Sequence, residues 1–496
     1  MSAPVWPQKI GSPPLWKHQL DALARSRSRA AYAFDFDPGL GKTGTVIVEA
    51  GRMFLDGDID TLIVVAPNRV HRQWIEKAFP VWAGYLWKGF AWKGTGKAMA
   101  EFEAVMPLSQ VKPALRVFTF NHEAVRRGGT LKRPTESSAM PLIERIFATS
   151  KRGVYVCYDE SQRIKDPVAQ QTRAALTLGR GVAKVRRKLS GTPILQGVQD
   201  LWSQYAFLDP KIIDERSWYT FRDAYCVTKP VPGGRVGAVQ IVGSKNMDSL
   251  MAKIAPFTSR IRKEDALDMP EKLFDRFVVE MEPAQALAYA QMDRMMMAGL
   301  TSGEHAGTVV TAQIVLTQLQ KLLQIASGFI HDDAGNPIWM WDSKVDAIVD
   351  KVSELEGEPC VIWAPFIPLL DRLEQKFGAN GLRFRELDDV ARWKAKGGVL
   401  IANPASGGVG VDGMQEVARR AYYAANGFHL EHRIQSIDRL HRGGQKSTCF
   451  YTDFVMKGTK DEAVLDVLAA KANVGNMTVE MLRKLLLAPS LPGVAA

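Results

Sequence analysis

Ala30-Ala31-Tyr32-Ala33-Phe34-Asp35-Phe36 runs straight into Asp37-Pro38-Gly39-Leu40-Gly41-Lys42-Thr43, and the reading of this junction decides the fold. The first seven residues are apolar and aromatic apart from one aspartate, the pattern of a buried strand. Gly39 and Gly41 allow a tight turn that brings backbone N–H groups close to an anion. Thr43 to Ala50 reads as a helix, whose N-terminal end carries positive partial charge. Strand, glycine turn and helix together make a phosphate cradle, with Gly39, Leu40 and Gly41 as its backbone. Lys42 is placed to reach the β- and γ-phosphates of a nucleoside triphosphate, and the Thr43 hydroxyl to ligate Mg2+. The strict motif fails at one position, because Phe36 stands where its first glycine belongs.

Such a cradle needs an acidic partner at the end of another strand. Gly153 to Tyr158 is that strand, and Asp159-Glu160 ends it. Parallel sheets bind ligands at the carboxyl ends of their strands. Asp159 is therefore the expected Mg2+ ligand, and Glu160 the group that orients and deprotonates an attacking water. Far downstream, a helix is expected over Leu430 to Leu440, and Gln435 to Gln445 (QSIDRLHRGGQ) holds Arg439 and Arg442, whose spacing of three is expected to place them on similar faces of a helix. Both arginines are expected to approach the γ-phosphate, with Gln435 linking the same helix to the nucleotide or its water.

The rest of the chain supplies two strand–helix series. Strands are expected at 30–36, 61–66, 116–120, 153–158 and 185–190, and again near 360–363, 399–402, 420–423 and 449–454. Helical patterns such as Val70 to Ala78, Gln170 to Leu178 and Ile367 to Phe377 lie between them, and the alternation predicts parallel sheets covered on both faces. Helix signals dominate between the two series. The expected division is an N-terminal ATP-binding lobe over 1–210, a helical bridge over 211–340 and a C-terminal lobe over 341–496.

Bulk properties fit this picture. The 496 residues carry a formal net charge of +11, which favours a polyanionic partner, nucleic acid before membrane. Basic residues gather at Arg126, Arg127, Lys132 and Arg133 and again from Arg180 to Lys188. Four scattered cysteines have no metal-ligand spacing, which argues against a zinc site and suits a reducing cytoplasm. Residues 1–11 lack an apolar signal core and no apolar run is long enough to span a bilayer, so a cytoplasmic chain without a membrane partner is expected.

Taken in order, the segments resemble the SWI/SNF-related members of the superfamily-two helicase-like ATPases. Leu15-Trp16-Lys17-His18-Gln19 resembles the element whose glutamine, here Gln19, reads the adenine edge. Asp37 to Thr43 resembles the family's phosphate loop, and Asp159-Glu160-Ser161-Gln162 its acidic box. Val65-Ala66-Pro67 with Gln73 to Glu76 resembles a segment near the DNA backbone. Leu189-Ser190-Gly191-Thr192-Pro193 resembles the link between nucleotide state and lobe position, through Ser190 and Thr192. Pro256 to Asp265, with Arg260, leading to Met269-Pro270-Glu271-Lys272, resembles the bridge between lobes that general RNA helicases lack. Ser406 to Val411, with Gly408 and Gly410, resembles the loop that faces both DNA and ATP, and Gln435 to Gln445 the arginine motif.

The resemblance implies two RecA-like lobes of the P-loop NTPase type with helical insertions between them. It also implies ATP and Mg2+ as cofactors, and a monomer that moves along duplex DNA. A strand-separating DNA or RNA helicase, or a nucleic-acid-binding scaffold with a degenerate ATPase core, are the alternatives. Ser161-Gln162 stands where the family has Ala-His, Asp412-Gly413 where it has Asn-Leu, and Phe428-His429-Leu430 where it has Trp-Asn-Pro. These departures point to a divergent, phage-encoded member.

Overall fold

The computed structural model describes residues 6–68, 70–94, 98–108, 111–125, 139–179, 183–194, 197–230, 237–301, 312–386, 388–407, 413–427 and 429–474. Gly408, Gly410, Asp412, Phe428, Arg180 and the basic cluster from Arg126 to Arg133 lie outside them. The contacts divide the chain into two units, Met1–Lys229 with Ile241–Leu267, and Pro230–Gln240 with Asp268–Ala496.

The first unit is built on a seven-stranded sheet. Its strands are β1 (Ala31–Phe36), β2 (Thr61–Ala66), β3 (Trp87–Ala91), β4 (Leu115–Asn121), β5 (Val154–Tyr158) and β6 (Val185–Leu189). A separate two-stranded sheet of β7 (Cys226–Pro230) and β8 (Val239–Ser244) intervenes before the seventh strand, β9 (Thr258–Ile261). The order is β3-β4-β2-β5-β6-β1-β9, and every pairing is parallel. β1, β2 and β5 are buried along their whole length, so their side chains on both faces are mostly apolar, and the one carboxylate among them, Asp35, is paired with the buried Lys188 ammonium. Separate apolar cores fill the two faces. One gathers Phe34, Val46, Ile47 and Val64, the other Ile63, Phe118, Val156 and Phe207.

The second unit begins with β10 (Lys272–Val279) at the edge of a six-stranded sheet. A small antiparallel pair, β11 (Phe329–His331) and β12 (Pro337–Trp339), precedes β13 (Cys360–Trp363), β14 (Gly381–Arg383), β15 (Val399–Ala402), β16 (Arg420–Tyr423) and β17 (Cys449–Met456). The order is β10-β17-β16-β13-β15-β14, again parallel throughout. The chain is thus α/β, with a parallel sheet in each unit.

The stretch from 211 to 340 contains the helices Pro283–Thr301 and Ala312–Ala326, but it also holds β7 to β12 and is shared between the units. Its first part adds β9 to the first sheet beside β1, and β10 adds to the second beside β17. Val70 to Ala78 also differs from one regular helix: an α-turn, Val70–Gln73, passes into a π-helical turn, Trp74–Ala78, with Pro80 close behind.

Candidate functional site

The phosphate loop sits at the carboxyl end of β1. Gly39 and Gly41 have φ of 89° and 78°, the left-handed region that glycine enters without steric cost. A side chain at Gly41 would also collide, since its Cβ would lie 2.5 Å from Gln19 Nε2. Helix α1 (Lys17–Ser26) lies beside the loop, and helix α2 (Lys42–Leu55) begins at the loop's lysine. The Lys42 ammonium donates to Phe36 O at 2.8 Å, folding back over the loop.

Gln19 is buried and held at both ends of its amide. Nε2 donates to Gly41 O and to Thr45 Oγ1, both at 3.0 Å, while Oε1 accepts from Trp16 N at 2.9 Å. The side chain expected at an adenine edge therefore braces the loop in this structure. His18 does the same one residue earlier in the loop, donating from Nε2 to Leu40 O at 3.0 Å. Sequence reasoning passed over His18, although it sits inside the same short element.

Asp159 and Glu160 follow β5, and Asp159 N donates to Val65 O at 2.7 Å. The Asp159 carboxylate is buried, with Oδ1 accepting from Glu160 N at 2.9 Å and Oδ2 from Trp74 Nε1 at 3.3 Å. Burial, then the neighbouring Glu160 charge, push its pKa up to about 7, while the Lys42 charge opposes them. Glu160 has φ of 51°, a strained conformation for a non-glycine residue and one that clusters at functional sites. Its Oε2 accepts from Gln162 Nε2 at 2.6 Å, Gln162 Oε1 accepts from Ser190 Oγ at 2.7 Å, and Ser190 Oγ accepts from Thr192 N at 3.1 Å. A continuous hydrogen-bonded chain through Gln162 thus joins the acidic pair to the Ser190–Thr192 turn. Pro67, buried at the end of β2, accepts from His71 N at 3.1 Å and opens the following helical turn.

Arg260 was expected in a bridge between lobes. It lies on β9 opposite Asp35, and its Nη1 donates to Asp35 O at 3.0 Å and Gly191 O at 3.2 Å. Its Nη2 lies 2.8 Å from Asp37 Oδ1.

In the second unit, the helix Leu430–Leu440 is fixed by Arg433. That guanidinium lies 3.4 Å over the Tyr423 ring and pairs with both Asp453 oxygens at 2.7 and 2.8 Å. Gln435 and Arg439 are buried on this helix. Gln435 Nε2 donates to Glu431 Oε1 at 3.1 Å, while its buried Oε1 has no hydrogen-bond partner among the described residues. Arg442 does not share the helix. The helix stops at Leu440, where His441 turns to ψ 80° and its Nε2 donates to Pro270 O at 2.7 Å. Arg442 then occupies a turn before Gly443-Gly444, with Gln445 N donating to Arg442 O at 3.0 Å. The expected common helical face for Arg439 and Arg442 is corrected accordingly.

Residues 33–327 match the SNF2-related domain. The chain belongs to the SNF2-related family. Among similar proteins, p41 of Acyrthosiphon pisum secondary endosymbiont phage 1 is 26% identical over 465 residues, covering 90% of this chain and 94% of p41. The Bacillus subtilis protein YwqA, named as an ATP-dependent helicase/translocase, is 23% identical over 66% of this chain and 35% of its own length. The Arabidopsis thaliana protein CHR12, named as an ATP-dependent DNA helicase, is 22% identical over 89% of this chain and 39% of its own. The SNF2-related chain thus spans nearly all of p41 but well under half of YwqA or CHR12. A solved SWI2/SNF2 ATPase core from Sulfolobus solfataricus, in complex with double-stranded DNA, aligns over 98% of this chain and 99% of its own, with 19% identity and a TM-score of 0.41.

The donor set of this SNF2-related protein suits a magnesium nucleotide. A buried carboxylate whose pKa is raised by burial and an adjacent carboxylate is short of positive charge, which a divalent cation would supply. Among the described residues no helix is long and apolar enough to cross a membrane.

Proposed function

We propose that this SNF2-related ATPase is a translocase on duplex DNA, converting ATP hydrolysis into movement of its two units. The observation that carries the reading is the meeting of the Gly39–Thr43 loop with Asp159 and Glu160 at the carboxyl edge of one parallel sheet, where the Lys42 charge bears on Asp159. Phosphoryl transfer asks the protein mainly for positioning and charge neutralisation, and these residues offer both.

Lys42 would exchange its bond to Phe36 O for phosphate oxygens, and the loop N–H groups would hold the same anion. Thr43 and Asp159 would hold Mg2+, which when bound neutralises charge on the β- and γ-oxygens. Glu160, aimed by Gln162, would orient a water and take its proton. Arg439 and Arg442 would supply positive charge from the second unit, with Gln435 Oε1, which has no partner among the described residues, available to a water or to the nucleotide. To meet the base, Gln19 would exchange an Nε2 bond to the loop for one to the adenine edge. ATP would favour one arrangement of the units and hydrolysis release it, so alternate grips on DNA phosphates would give stepping. The net charge of +11 supports a polyanionic track.

The test is ATPase rate with duplex, single-stranded and branched DNA and with RNA. A several-fold stimulation by duplex is expected, and Lys42→Ala should abolish hydrolysis while duplex binding survives. Equal rates with every nucleic acid would remove the translocase reading. Displacement of a strand from a forked substrate would replace it with a strand-separating one.

A further inference from the structure

Asp37 opens the phosphate loop, and β9 and the turn that follows it hold it from two sides. Asp37 N donates to Ile261 O at 2.9 Å, and Asp37 Oδ2 accepts from Lys263 N at 3.1 Å. The second carboxylate oxygen meets Arg260 Nη2 at 2.8 Å. The same guanidinium reaches back through Nη1 to Asp35 O and Gly191 O, so one side chain touches β1, the loop and the Ser190–Thr192 turn. Gly191 confirms the close fit, because a Cβ there would lie 2.9 Å from Pro38 Cδ. Asp35 in turn is held through its carboxylate by the buried Lys188 ammonium at 2.7 and 2.8 Å.

The chain leaves the first unit at Leu267, shortly after β9, and enters the second at Asp268. β9 is therefore both the neighbour of the phosphate loop and the last strand before the crossing. The Arg260 and Asp37 side chains are 42% and 25% exposed, so their ion pair adds little to folding stability. What it offers is geometry: a planar fork that holds two backbone carbonyls and the Asp37 carboxylate at once.

We propose that Arg260 is a positioning residue that ties the phosphate loop to the exit strand, so that the loop's nucleotide state reaches the second unit through Asp37. This rests on the ATPase reading above, and it assigns Arg260 to the loop and not to a DNA phosphate.

The variants are Arg260→Gln, Arg260→Lys and Asp37→Asn in the full chain. Arg260→Gln and Asp37→Asn should each raise KM for ATP by about tenfold with a smaller change in kcat, and the double variant should be no worse than either. Arg260→Lys, which keeps the charge and loses the fork, should fall between them and the wild type. In all of these variants the ATP-driven change in distance between a fluorophore on each unit should shrink, while nucleotide-free duplex affinity stays within about twofold of the wild type. Reduced duplex affinity with a shallower salt dependence would make Arg260 a DNA contact and overturn the proposal. So would an unchanged KM and fluorescence signal, or a fall in first-unit melting temperature that accounts for both. If the wild type binds a fluorescent ATP analogue but neither hydrolyses ATP nor responds to duplex, the translocase reading fails. The latch is then judged on analogue affinity, which the variants must still weaken.

Discussion

Glu49 is where the structure can be tested hardest. It lies in α2 and, with Arg187 of β6, forms an ion pair whose side chains are 1% and 0% exposed. Glu49 Oε1 accepts from Arg187 Nη2 at 2.9 Å and Ser26 Oγ at 2.5 Å, and Oε2 accepts from Arg187 Nε at 2.9 Å and Tyr155 OH at 2.6 Å. One carboxylate thus pins α2 to α1, β5 and β6. Glu49→Leu strands a buried guanidinium, leaving it the Ser26, Ala30 and Arg186 carbonyls and the Tyr155 ring 5.6 Å away. Removing one partner of such a pair costs about 3–5 kcal/mol, a large share of the ~5–15 kcal/mol that holds a domain folded. Glu49→Leu with Arg187→Met removes both charges, and what persists is chiefly the Tyr155 hydroxyl without an acceptor, about 1–3 kcal/mol. Adding Tyr155→Phe should recover most of that. Because two units do not give one all-or-none transition, the readout is urea-dependent hydrogen exchange of peptides covering β1 and β6. A single-variant cost below about 1 kcal/mol, or a double variant as unstable as the two singles summed, would refute the claim that this pair holds the phosphate-loop helix.

Two further outcomes follow from the same geometry. Asp159 has its folded-state pKa raised above the ordinary value of 3.8, so the folded protein holds an extra proton and this residue's contribution to stability falls as pH rises from about 4 to about 7. Asp159→Asn should therefore stabilise the nucleotide-free, metal-free first unit by a margin that grows over that range and is flat above it, while hydrolysis is lost; a stabilisation independent of pH in denaturation series would contradict the raised carboxyl. Gly41→Ala combines φ of 78° with a 2.5 Å approach to Gln19 Nε2, and should weaken binding of a fluorescent ATP analogue and cost about 1–2 kcal/mol in first-unit stability. Unchanged analogue affinity would mean the Gln19 brace is irrelevant to the loop.

The central strands were legible from residue order alone. Thr61–Ala66, Cys360–Trp363, Val399–Ala402 and Arg420–Tyr423 have the bounds that their apolar runs suggest, because a parallel strand covered on both faces must be apolar at nearly every position. The turn between β1 and α2 was equally legible, since Gly39 and Gly41 answer to local backbone geometry. The helix Leu430–Leu440 has the bounds its pattern suggests, but the expected helical placement of Arg442 beside Arg439 fails, because His441 leaves helical geometry and bonds to Pro270, distant in sequence.

Edge strands escaped. β9 reads Thr-Ser-Arg-Ile and β10 Lys-Leu-Phe-Asp-Arg-Phe-Val-Val, mixed patterns that become strands only because β1 and β17 offer them hydrogen bonds. Residue order by itself marked a glycine turn between strand and helix, an acidic pair and two series of apolar strands, because those features depend on neighbours a few residues apart. Only the folded arrangement decided that Gln19 and His18 grip the loop, that Gln162 joins Glu160 to Ser190, and that Arg260 faces Asp37. Apart from the short Gln162–Glu160 link, each of those contacts joins segments whose separation along the chain leaves no local trace, and a single hydrogen bond is too directional to be inferred from residue type.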